Sequence, residues 1–239
     1  MTRGQGTLDR WAKATVLACL FAGLLPAQGR VLSPRDLYLE KNAAGPDAAP
    51  AAHHLGLRYT ELLVDPSTRR VREAAPDTVF HGGDCLAVEF TPNRSGAVYV
   101  LNHGSSGDWQ LLLPNALMPD ASGVARAGVT LRVPTDYCFL LDGKPGTETL
   151  MLAITEREED ARKMRDLLAG SSASSSAPAA AGPIRDEVES WQRLGSRDLR
   201  LETVDSSESA GERPNSVYAV MSSAAVADRL VIEIKIRHE

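Results

Sequence analysis

Aromatic side chains are scarce: Phe, Trp and Tyr make up 5% of the 239 residues. A core built from this chain must rest on Val, Leu, Ile and Ala. Basic runs are also missing. The net charge is −5 and the isoelectric point is near 5.6, which argues against nucleic acid or anionic lipid as a partner. Beyond residue 25 no stretch is apolar enough to span a bilayer, so no membrane span is expected in the exported chain. No metal-ligand cluster, nucleophile–base pair or phosphate loop stands out. The chain is therefore read with no catalytic residue, no metal site and no cofactor.

What is present begins with an address. Arg3, Arg10 and Lys13 precede Ala14–Leu25 (ATVLACLFAGLL), an apolar run of 12 residues, followed by Pro26-Ala27-Gln28-Gly29. This is the layout of a secretory signal peptide spanning residues 1–29. The run falls short of the roughly 20 residues a spanning helix needs. Val16-Leu17-Ala18-Cys19 fits a lipoprotein box poorly, because most of the apolar run would follow the cut. The protein is expected to be exported, to the periplasm or beyond the cell. Cleavage removes Cys19 and leaves Cys85 and Cys138, an even number for an oxidising compartment.

Residues 30–54 read as a flexible N-terminal segment, Ala/Pro/Gly-rich from Asn42 to Ala52, with one helical turn near Pro34–Glu40 that rests Leu37 and Tyr38 on the domain. Residues 55–239 read as a single β domain. Leu55–Asp65, Cys85–Thr91, Ala97–Asn102, Trp109–Leu113, Val129–Val133, Tyr137–Leu141 and Glu148–Ile154 are strand candidates, separated by Gly-, Pro- and Asp-rich turns. Residues 66–76 read as a polar loop and 115–128 as an irregular one. Ala97–Asn102 is apolar on both faces and should be central.

Thr155-x-x-Glu158 is a capping-box pattern opening a helix. Glu158 with Arg162 and Glu159 with Lys163 are spaced for ion pairs. Ala161, Met164 and Leu168 form an apolar stripe expected to lid one end of the β core, and Gly170 is a plausible stop. Residues 171–183 (SSASSSAPAAAGP) read as a disordered insertion. A second short helix is expected at Ile184–Leu194. Three more strands follow, at Asp198–Val204, Val217–Met221 and Leu230–Arg237. In the last, Leu230, Ile232, Ile234 and Ile236 share one face. About nine or ten closely spaced strands, with no helices alternating between them, predict a mainly β fold: an antiparallel β-sandwich or open barrel with one or two short helices.

Several polar groups invite a chemical reading. His103, Ser105 and Asp108 lie together, yet Gly104-Ser105-Ser106-Gly107 reads as a hairpin turn rather than a nucleophile elbow. His81 and Cys85 flank a Gly-Gly bend as a conceivable thiol–imidazole pair. His53-His54 lacks a third metal ligand. Gly143-Lys144-Pro145-Gly146 lacks the order of a phosphate loop. Glu148 beside that turn is expected to accept backbone N–H groups. Cys85 and Cys138 share the weaker-patterned face of their strands, which permits a disulfide if the strands are neighbours. Closing that loop would contribute ~4 kcal/mol in the chain-entropy picture.

Val79-Phe80-x-x-Gly83-Asp84, Asn93-x-x-Gly96-x-x-Tyr99-Val100-Leu101-Asn102, Gly107 with Leu112-x-Pro114, Val133-Pro134 and Asp142-Gly143-x-x-Gly146-x-Glu148 occur in that order. Residues of about 78–156 thereby resemble the bacterial domain of unknown function numbered 4384. Gly96-Ala97-Val98-Tyr99 stands where that group usually has Gly-Tyr-Leu-Tyr. The resemblance implies a β-fold and an envelope location, and supplies no catalytic residues. In this reading Gly83, Asp84, Asn93, Gly96, Gly146 and Glu148 are structural turn residues. The expected function is a non-enzymatic interaction or accessory module whose partner is an envelope protein or a glycan. A carbohydrate- or peptidoglycan-binding module is the alternative, with Trp109, Tyr99 and Tyr137 sharing a surface. A Cys- or Ser-dependent hydrolase is third.

Overall fold

The computed structural model describes residues 32–39, 54–114, 123–172, 181–204, 215–222 and 228–239. The expected signal peptide, the Ala/Pro/Gly-rich tether, loop residues 115–122 and the centre of the Ser/Ala insertion lie outside the described residues.

The described elements are α1 (Pro34–Leu39), β1 (Gly56–Val64), β2 (Val71–Ala74), β3 (Val79–Phe80), β4 (Cys85–Pro92), β5 (Gly96–His103), β6 (Trp109–Leu113), β7 (Val124–Ala125), β8 (Leu131–Val133), β9 (Phe139–Leu140), β10 (Gly146–Thr155), α2 (Glu158–Ser172), α3 (Ala181–Gly195), β11 (Leu199–Thr203), β12 (Val217–Met221) and β13 (Arg229–His238). They form two sheets. One runs β11-β12-β1-β4-β8, with β2 beside β1 and β9 beside β4; the other runs β3-β13-β10-β5-β6, with β7 beside β5. Pairing is antiparallel throughout, apart from the two-residue parallel contact of β3 with β13. The fold is mainly β, two sheets facing each other with no closed barrel, as the strand spacing predicts.

The core lies between the sheets. Leu57 and Tyr59, Leu86, Val88 and Phe90, Val98 and Val100, Leu150, Leu152 and Ile154, and Leu230, Ile232, Ile234 and Ile236 all meet there. Each group recurs at period two because alternate strand side chains point the same way. Glu233, Lys235 and Arg237 take the exposed positions of β13 between its isoleucines. Full burial of each such aliphatic side chain contributes about 1.5–3 kcal/mol.

β5 and β10 are apolar on both faces, and the second face decides where the helices go. Tyr99, Leu101, Met151, Ala153 and Val231 lie on the outer side of the second sheet, beneath Met164 of α2 and Ile184, Val188 and Trp191 of α3. The stripe on α2 therefore roofs a sheet face; it does not lid one end of the core. A strand pair with two apolar faces needs two covering layers.

The start of α2 also differs from the sequence reading. β10 runs through Thr155, which pairs with Ala97 and Arg229, so Thr155 is a strand residue and the helix opens three positions later. Thr155 Oγ1 accepts the Arg157 N–H at 3.1 Å and donates to Asp160 at 2.9 Å. Glu158 pairs with Arg165 at 2.6 Å, Glu159 pairs with Arg157, and Lys163 reaches Glu187 of α3 at 2.5 Å. These replace the expected pairs with Arg162 and Lys163. The helix passes Gly170 and ends at Ser172.

Within the segment expected to be flexible, Pro34–Leu39 packs against the first sheet. Leu37 is buried. Tyr38 meets Tyr218 edge-to-face at 5.0 Å, and its hydroxyl donates to the Thr91 carbonyl. Ser33 and Asp36 exchange reciprocal side chain–backbone bonds across the first turn. β2, at Val71–Ala74, was hidden in an apparently polar loop. Its partners Glu61–Val64 supply the apolar context that the sequence VREA lacks.

Candidate functional site

The first sheet ends in a disulfide. Cys85 opens β4 and Cys138 lies just before β9, which pairs with β4 through Cys85–Leu140 and Leu86–Phe139. The two cysteines are bridged, with Cα atoms 5.3 Å apart. They sit on the outer face with Leu62, Val64 and Ala87. The bond removes Cys85 as a free thiolate, so the His81–Cys85 pair has no nucleophile. His81 instead lies 3.9 Å from Asp84 and 3.9 Å from Glu239.

Next to the bridge, the chain turns sharply between β1 and β2. The Asp65 carboxylate accepts bonds from the Ser67 N–H at 2.8 Å, the Ser67 hydroxyl at 2.6 Å and the Thr68 N–H at 2.9 Å. Those bonds, the Ser67 hydroxyl's first, hold its carboxyl well below the usual carboxylate range. Arg69 follows with φ of 57°, a left-handed conformation that turn geometry imposes on a non-glycine residue.

Two clefts flank this turn. The larger, of about 510 Å³, runs past Arg70, Arg72, Asp84 and Cys85. The smaller, of about 320 Å³, lies between Arg69, Arg132 and the Thr135–Cys138 loop. Tyr137 and Leu140 stand exposed at this end. The sequence pointed to Gly83, Asp84, Tyr137 and the two cysteines of this concave end, and not to its arginines.

The predicted turn residues do not converge on one place. Gly83 has φ of 92° and its N–H donates to the Leu141 carbonyl, while Asp84 accepts the His81 N–H. Asn93 lies at the other end of the first sheet. Its Oδ1 accepts the Gly56 N–H at 2.8 Å and its Nδ2 donates to the His54 carbonyl at 3.0 Å. Gly96 is required by closeness: a Cβ there would meet the Thr155 carbonyl oxygen at 2.4 Å. Gly146 packs on Ser105, where a Cβ would come within 2.9 Å of the serine Cβ. Glu148 accepts from Asn102 Nδ2 at 3.5 Å; the acceptor that fixes the adjoining turn is Asp142, bonded to the Lys144 N–H.

The remaining candidates are occupied structurally. His103 stacks on Trp109 with ring centres 4.5 Å apart, and Ser106 donates to Asp108. Among the described residues no serine hydroxyl is hydrogen-bonded to a histidine ring, and no group of three or more His, Cys, Asp or Glu side chains is placed to hold a metal. His54 bonds the Met221 carbonyl; His53 lies outside the described residues. The three rings proposed as a sugar platform do not share a surface. Tyr99 is buried beneath α3, Trp109 lies on the outer side of the second sheet below Arg185, and Tyr137 is at the disulfide end of the first.

Three residues that sequence reading left aside carry unusual environments. Glu61 faces the core between Tyr59 and Leu63, and burial pushes its carboxyl up to about 8. His238 is buried in phase with the β13 isoleucines, with neither ring nitrogen partnered. Arg132 has a buried, unpartnered Nε. The first two were visible as polar positions inside an apolar alternation; Arg132 gave no such signal.

Among the described residues no helix is long and apolar enough to cross a membrane. No curated protein and no solved structure matches the chain. Residues 79–158 match the family model described as Domain of unknown function (DUF4384), from β3 through the first residue of α2. The turn glycines and strands of this third of the chain are those that carried the resemblance, and the match supports reading this segment as similar to the DUF4384 family.

Proposed function

We propose that the chain is an exported, non-enzymatic β-domain acting as a protein-interaction or accessory module of the bacterial periplasm or cell envelope. The observation that carries this reading is the disulfide end of the first sheet. A bridge suited to an oxidising compartment lies there with one cysteine on each of two clefts; exposed Tyr137 lines the smaller cleft, and exposed Leu140 stands opposite Cys85 in the strand register. Aromatic and arginine side chains around a concavity are the composition of interface anchors. The signal-peptide pattern at residues 1–29 supports the same compartment. The polar groups that suggested catalysis instead serve turns, stacking and the disulfide.

The test is affinity capture from native envelope fractions, with the full chain and with Tyr137→Ala/Leu140→Ser. Repeated recovery of the same partner by the first, lost with the second, supports the reading. Recovery of nothing, or equal recovery by both, overturns it.

A further inference from the structure

We propose that the smaller cleft, beside the Cys85–Cys138 bridge, is a binding site for a small oxyanion, a carboxylate or a phosphate. Arg132 stands opposite Glu89 in the β4–β8 register and lines the cleft. Its Nε is buried and has no acceptor, and a buried guanidinium N–H without a partner is unfavourable. Arg94, Arg165, Arg185 and Arg229 each hold a carboxylate elsewhere in the fold. Arg132 holds none among the described residues, although it is the one with a buried orphan donor.

The surroundings complete a site for an anion. Arg69 lines the same cleft, held by the Asp65 turn. The Asp65 carboxylate, also on the cleft, is committed to Ser67 and Thr68. Thr135 and Tyr137, both hydroxyl-bearing residues, line it too. Asp136 is the remaining carboxylate, and it is exposed. The disulfide anchors the Thr135–Tyr137 loop at Cys138, and the Arg69 backbone N–H is held by the Asp65 carbonyl. A volume of about 320 Å³ is at the lower end of small-molecule sites. The planar guanidinium fork suits both carboxylate and phosphate oxygens. This inference does not depend on the interaction reading, since a small anion can be bound whether or not a protein docks.

The experiment is a two-dimensional amide NMR titration of the full chain, disulfide intact, at low ionic strength. Inorganic phosphate and glutarate are added in separate series. The expected result is saturable, one-site shifts at the amides of Arg69, Thr135 and Tyr137 with at least one probe; whichever binds more tightly names the oxyanion class. Arg132→Gln should weaken binding at least tenfold. Asp136→Asn, which removes the competing charge, should tighten it several-fold. Arg200→Gln on β11 should leave it unchanged. If Arg132→Gln does not fold, Arg69→Gln is read in the same way. Shifts that never saturate with either probe, or an equal loss with Arg200→Gln, overturn the site.

Discussion

Asn93 Oδ1 accepts the Gly56 backbone N–H at 2.8 Å, and the same side chain donates to the His54 carbonyl at 3.0 Å. One amide thus ties the turn after β4 to the chain entering β1, 37 residues earlier. Both groups are backbone, so no other residue can move to replace the bond. Asn93→Ala should lower stability by about 1–3 kcal/mol. Urea unfolding followed by circular dichroism checks this; an unchanged midpoint would show that the two bonds do not matter.

Gly96 makes a different demand. A Cβ would lie 2.4 Å from the Thr155 carbonyl oxygen, a backbone atom already fixed between β5 and β13. Gly96→Ala should cost about 1–3 kcal/mol through the displacement it forces. Gly104→Ala, where the nearest atom would be 3.6 Å away, serves as the tolerated control.

Glu61 should give the protein an alkaline weakness. Its carboxyl is pushed up to about 8 by burial. Between the ordinary carboxylate value and about 8, the folded chain keeps a proton that the unfolded chain has lost. Stability from this group is therefore full at low pH and falls as pH rises through that window, by ~1.4 kcal/mol per unit. Glu61→Gln should flatten the decline. Denaturation midpoints measured near pH 5 and pH 9 for both proteins decide it.

Asp160 works in the opposite sense. Burial raises its pKa, but hydrogen bonds from Arg229 and Thr155 outweigh this and hold the carboxyl low. The Arg229 fork is bidentate, at 2.6 and 2.7 Å. Its stabilisation is present above the ordinary carboxylate value and is lost as pH falls. Arg229→Leu strands the buried carboxylate and should cost about 2–3 kcal/mol. The loss should shrink in acid, where Asp160 becomes protonated.

Removing the bridge should matter as well. Cys85→Ala/Cys138→Ala opens a loop of sequence separation 53 and should lower stability by about 4 kcal/mol in the chain-entropy picture. Comparison with reduced wild-type protein separates the bond from the side-chain change.

The strands were legible where side chains alternate, and β13 is the clearest case. The helices were legible as helices, but their position was not. The clue lay in β5 and β10, whose double apolar faces called for an outer layer that the stripe on α2 alone did not announce. β2 was hidden because its Arg and Glu residues are edge positions, given meaning only by pairing with β1. The cleft shows the same limit. Arg69 and Arg132 are 63 positions apart in the chain and line one cleft only because β8 returns beside β4. No local pattern could have placed them together.

β13 (Arg229–His238) lies between β3 and β10 in the second sheet, and its isoleucines fill the middle of the core. The chain cannot close its interior until residue 238 has been synthesised. Until then β10 has an unpaired edge and the aliphatic faces of both sheets remain wet. Such dependence on late, distant pairing makes folding slow and favours a folding event after synthesis.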